Sequence, residues 1–138
     1  MKEVKQMTEL TLEKGKGKIV NSGAAAVSGS FEAGSEDGFS PRELLEAALG
    51  FCTVISLVKF FERDNTAYEE KDLRVTVEAV KQEGVTNRFT NFEVKVALPA
   101  GLPAEYRAKA LTIAERACTI GNTLKSETKV HLLEETEK

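Results

Sequence analysis

The chain is short of the side chains on which most protein chemistry depends. It carries one histidine, His131, and two cysteines, Cys52 and Cys118, in 138 residues. The cysteines stand 66 positions apart, and neither a CxxC nor an HxxxH pattern occurs, so almost no ligands are at hand for zinc and no metal is expected. A Ser/His/Asp triad would need His131 beside a presented serine, and no strand-to-helix nucleophile turn is present. Gly15, Gly17, Gly23 and Gly29 are spread among strand-like stretches and do not lead into a helix, which excludes a phosphate cradle. Positive charge is not in excess: 19 Lys and Arg face 22 Asp and Glu, for a net charge of −3. That balance offers no electrostatic footprint for nucleic acid. The N-terminal MKEVKQMTELTLEK is charged throughout and has no apolar core of a secretory signal. A cytoplasmic location is therefore expected, and with it reduced thiols rather than a permanent bridge.

What is present is ordinary globular material, 41% hydrophobic and 30% charged, of a length that suits one domain over residues 1–138. Thr8, Leu10 and Leu12 alternate with polar neighbours, as a half-buried strand does. Gly15 and Gly17 mark a turn, Lys18 to Val20 begin a return strand, and Ala24 to Phe31 reads as a third. AGSEDGFSP (33–41) is a loop. Ser40 then caps a helix running to Arg63, with Pro41 at its first position and Glu43 closing a capping box. Its body is apolar on nearly every side from Leu44 to Phe61, interrupted by Glu46 and Lys59, and reads as a buried helix rather than a membrane span. Such a helix must be surrounded, by its own domain or by a partner subunit. Leu73 to Ala79 and Phe92 to Leu98 alternate as two strands joined by KQEGVTNR. Pro103 opens an amphipathic helix with Tyr106, Ala110, Ile113, Ala114 and Ala117 on one side, which reaches Cys118 and is interrupted near Gly121. Lys129 to Leu133 reads as a last strand. The layout is α+β.

The chemistry then falls to the two thiols. A buried cysteine often behaves as a small hydrophobe, and Cys52 sits in the most apolar segment of the chain. A free thiol is only about 3% thiolate at pH 7, and burial among Leu and Phe lowers that fraction. Cys52 is thus either inert packing or a reactive sulfur that a cation or hydrogen-bond donor must reach.

The segments SPRELLEAALGFC (40–52) and ERACTIGNTL (115–124), with the strand FTNFEVKVAL (89–98) between them, resemble the OsmC-like family, which includes the organic hydroperoxide resistance proteins. The resemblance runs from about Gly38 to Leu133. It implies an intertwined α+β homodimer, with a long buried central helix packed on antiparallel sheets and active sites at the subunit interface. It also implies a cysteine-based, peroxiredoxin-like peroxidase of the oxidative stress response, acting on organic hydroperoxides and hydrogen peroxide. By analogy Cys52 is the peroxidatic thiolate that becomes a sulfenic acid. Cys118 condenses with it to a disulfide, which an external dithiol reduces; no cofactor takes part.

The sequence departs from the family's peroxidases at two places. Those enzymes activate the thiol with an arginine from the N-terminal strands, and no arginine precedes Arg42 here; Lys14, Lys16 and Lys18 are the cations available. They also carry a carboxylate directly after the helix-opening proline. Here that position is Arg42, and the acid follows as Glu43. Arg42 and Glu43 are candidate accessory residues, with a solvated first turn and capping box as the plainer role. Arg42 lies ten residues from Cys52, about 15 Å along a helix axis, and Arg88 is a further candidate cation. The alternative function is a non-enzymatic dimer that binds an apolar small molecule in its interfacial pocket.

Overall fold

The structure, a computed structural model, describes residues 7–135, so part of the N-terminal stretch weighed as a signal lies outside the described residues. Two compact units divide them, residues 7–48 with 77–93 and residues 49–76 with 94–135.

The first unit holds the strands β1 (Thr8–Glu13), β2 (Lys16–Asn21) and β3 (Ala26–Gly29), an antiparallel sheet in the order β1-β2-β3. Lys14 and Gly15, at φ 52° and 80°, make the two-residue turn between paired Glu13 and Lys16. Positive φ at both central residues matches the twist of the flanking strands. Gly17 lies within β2, opposite Gly29 of β3. The predicted half-buried strand is exposed along its whole length: Leu10 and Leu12 are 61% and 64% exposed. Loop 33–39 returns along β3, with the Phe39 N–H donating to the Ser28 carbonyl at 3.0 Å. It passes so closely that a Cβ on Gly38 would run into that carbonyl.

Helix α1 (Pro41–Arg63) begins in this unit. The Ser40 N–H donates to Glu43 Oε1 at 2.8 Å and the Glu43 N–H to Ser40 Oγ at 3.3 Å, the reciprocal capping box. The unit also takes in residues 77–80 of β4 (Arg74–Val80) and 91–93 of β5 (Asn91–Ala97), which are hydrogen-bonded neighbours.

The second unit contains the core. Leu57, Phe60 and Phe61 of α1 pack with Ala110 and Ala114 of α2 (Ala104–Ala117), bordered by Tyr68, Leu73, Val96, Leu98 and Tyr106. Phe60 stacks on Tyr106 with ring centroids 5.1 Å apart, and Phe61 meets Tyr68 at 4.8 Å. The Tyr106 hydroxyl donates to Asp64 at 3.1 Å and lies 2.7 Å from the Thr66 hydroxyl, so its polar end is satisfied at the core's margin. Pro103 is the N-cap of α2, one position ahead of its predicted place inside the helix.

α2 ends with Cys118 as its C-cap, as far as the predicted helix reaches, but the predicted interruption near Gly121 is absent, since Gly121 lies inside α3 (Thr119–Lys125). Residues 129–133 form no strand in this chain. Val130, Leu132 and Leu133 are 87–97% exposed, and His131 lies exposed among them. By length and composition α1 could cross a bilayer. Its cap and its inward Leu57, Phe60 and Phe61 are those of a core helix, although Phe51 and Ile55 remain 67% and 41% exposed.

Candidate active site

Cys52 and Cys118 share the second unit, where the Cys118 thiol acts on the Cys52 thiol as a hydrogen-bond donor. Cys52 sits half-buried on α1, and Cys118 is buried at the junction of α2 and α3. The junction has a local cause. Cys118 adopts extended φ/ψ of −73° and 105°, ending one helix, and its sulfur accepts the Gly121 N–H at 3.4 Å to cap the next. That is the role a serine or aspartate oxygen plays at a helix start. A Cβ on Gly121 would lie 3.4 Å from that sulfur, so the glycine leaves the cap room.

This bend aims donors at Cys52. Burial alone would push the Cys52 thiol up, and it is the largest single influence. It is outweighed by the Ile120 N–H, the Cys118 thiol, the Thr119 N–H and the Lys59 ammonium, which together hold the Cys52 thiol below its ordinary range. The required donors are therefore backbone amides and a second thiol, joined by a cation that sequence reasoning passed over. Lys59 lies seven residues beyond Cys52 on α1, two turns along the same face. Helical side chains lean toward the N-terminus, which tilts Lys59 back in the direction of the sulfur. An i,i+7 lysine on an exposed surface carries no signature by which sequence could single it out.

The chain also matches the family model for OsmC-like protein over residues 34–132. It belongs to the OsmC-like family. Solved structures agree on the fold of this OsmC-like chain. An OsmC like protein from Mycoplasma pneumoniae superposes with a TM-score of 0.70 at 13% identity, covering 90% of this chain and 89% of that one. An organic hydroperoxide resistance protein from Elizabethkingia anophelis gives 0.67 at 16% identity, covering 90% of each. The organic hydroperoxide resistance protein OsmC from Legionella pneumophila gives 0.60 at 16%, covering 91% and 92%. At such identities the likeness is one of fold. None of the curated proteins matches the sequence.

The accessory candidates of this OsmC-like chain belong to the first unit and have structural partners there. Arg42 donates from Nε to Glu46 at 3.2 Å and from Nη2 to the Ala79 carbonyl at 2.8 Å. Glu46 in turn accepts the Ala79 N–H at 2.8 Å, so both backbone groups of buried Ala79 are met by α1 side chains. Glu43 accepts the Ser40 and Gly34 N–H groups. Those bonds, with the Ser40 hydroxyl and a lesser pull from Arg42, hold its carboxyl below the usual range against a small cost of burial. Lys16 pairs with Asp37 at 3.3 Å, Lys14 and Lys18 border a surface cleft of the hairpin, and Arg88 is exposed on the β4–β5 connection. Among the described residues no cluster of His, Cys, Asp and Glu could hold a metal ion.

Proposed function

We propose that the protein is a thiol-dependent peroxidase that reduces organic hydroperoxides and also accepts hydrogen peroxide. It works in the cytoplasm as a homodimer, each chain acting as a single OsmC-like domain over residues 1–138. The observation that carries this reading is the meeting of Cys52 with Cys118 at the α2–α3 bend, where two backbone amides and a thiol favour the Cys52 thiolate. The thiolate attacks the distal oxygen of the hydroperoxide; the O–O bond breaks, the alcohol leaves with a proton, and Cys52 becomes a sulfenic acid. Cys118 then displaces the hydroxyl as water and the disulfide forms. An external dithiol restores both thiols by exchange. The peroxide resistance named for the Legionella and Elizabethkingia structures supports the same chemistry.

The homodimer is supported by the apolar side chains that one chain leaves in water. Leu10 and Leu12 of the first unit, and Phe51, Ile55, Val130, Leu132 and Leu133 of the second, are all exposed, and a partner subunit would give such side chains cover.

The test is peroxide consumption with a dithiol reductant, comparing wild type with Cys52→Ser and Cys118→Ser. Cys52→Ser is expected to reduce turnover to the protein-free rate; full turnover in that variant refutes the mechanism. A second reading, a dimer that binds an apolar small molecule without catalysis, draws on the commitment of Arg42 to Glu46 and Ala79. Maleimide labelling of Cys52 across pH separates the two. A midpoint below the free-thiol value favours the peroxidase, and one at or above it favours the binding module.

A further inference from the structure

Thr53 is the only buried polar residue of the second unit among the described residues, 8% exposed, and it lies against Cys118, itself 4% exposed. Its proton is committed, because Oγ1 donates to the Leu49 carbonyl at 2.9 Å. A hydroxyl has one proton and two lone pairs. Toward Cys118 Sγ, 3.9 Å away, it therefore presents a lone pair. The same sulfur accepts the Gly121 N–H at 3.4 Å from another side. A threonine that bonds back to the carbonyl four residues earlier is common inside helices and needs no function. Here the hydroxyl also adjoins the one thiol that reaches Cys52.

The geometry points to Thr53 as the positioning residue of the resolving step, its hydroxyl holding the Cys118 sulfur toward Cys52 and following that sulfur's loss of a proton. The inference rests on the peroxidase reading. While Cys52 is a thiolate the Cys118 S–H serves it; once Cys52 is the sulfenic acid, that S–H turns to donate to Thr53 Oγ1. When Cys118 attacks the Cys52 sulfenic acid, an S–S bond forms and the S–O bond breaks. The departing hydroxyl takes up the Cys118 proton and leaves as water. The hydroperoxide already consumed is the only oxidant required. As charge develops on the attacking sulfur, the Thr53 O–H turns from the Leu49 carbonyl to the sulfur and joins the Gly121 N–H as a second donor.

Thr53→Ser and Thr53→Ala differ by one hydroxyl, so their comparison isolates it from the methyl that both lose. Reduced full-length proteins are mixed with one equivalent of cumene hydroperoxide. Dimedone trapping follows the sulfenic acid, and intact mass follows the disulfide and the sulfinic acid. Thr53→Ser is expected to resolve like wild type. Thr53→Ala should form the disulfide about tenfold more slowly, the worth of one hydrogen bond, with more sulfinic acid and an unchanged first oxidation. Equal disulfide rates in the two variants overturn the inference, as does a lower melting temperature in Thr53→Ala with an unaltered sulfenic acid lifetime. If wild type forms no sulfenic acid, the peroxidase reading fails first and the role of Thr53 falls with it.

Discussion

Lys59 supplies the one charge that lowers the Cys52 thiol, from an exposed position two turns along α1. Among the described residues it pairs with no carboxylate, so its field is not cancelled locally. Lys59→Gln should raise the Cys52 midpoint, read from thiolate absorbance against pH, and the difference should shrink as salt screens the charge. Thiolate at neutral pH falls in that variant because removing a cation disfavours the charged form. An unmoved midpoint at low salt would leave the amides and the Cys118 thiol to account for the whole effect. At this scale the two cysteines were legible from their flanking motifs. Thr53 and Lys59 were not, since a threonine in a helix and a solvent-facing lysine look the same in sequence whether or not a thiol lies beside them.

The start of α1 shows how far local rules reach. The capping box was readable from Ser40, Pro41 and Glu43, because its bonds close within one turn. The Glu43 carboxyl is held below its unfolded range, so its contribution is complete above that range and is lost as pH falls through the depressed folded value. Melting temperatures of wild type and Glu43→Gln are accordingly expected to differ at neutral pH and to converge on acidification through that window. The Arg42–Glu46–Ala79 clamp joins residues 33 to 37 positions apart, and no local pattern announces it. Glu46→Ala leaves the buried Ala79 N–H without its acceptor and should cost about 1–3 kcal/mol. Urea unfolding would register this as a lower midpoint at an unchanged slope. α2 ends at Cys118, as far as it was expected to reach, because that residue's sulfur can cap the next helix, whereas the interruption expected near Gly121, where glycine is the usual punctuation, lies inside α3.

For the molecule as a whole, the telling feature is apolar surface without cover. The sequence required α1 to be enclosed on all sides, whereas in one chain Phe51 and Ile55 face water. Phe51→Asp puts a charge where the proposed homodimer has its partner. A buried unpaired charge costs about 3 kcal/mol or more, enough to weaken association at least about 100-fold. Sedimentation should show the wild type at twice the chain mass and the variant at the chain mass. A wild-type monomer would remove the dimer from the proposal while leaving the paired thiols in place. The expected strand at 129–133 belongs to the same problem: Val130 and Leu132 keep a strand's alternation, but a strand forms only where an edge is offered to it.

The sequence by itself determined the types of the elements from β1 to α2, the cap of the central helix and the two cysteine motifs, because each depends on residues within a turn or two of one another. Tertiary structure alone decided that the two sulfurs adjoin, that amides after Cys118 face Cys52, and that Arg42 is spent on Ala79. Those outcomes depend on segments dozens of positions apart meeting in space. Which charges, donors and apolar surfaces then become neighbours is set by packing, and packing has no local code.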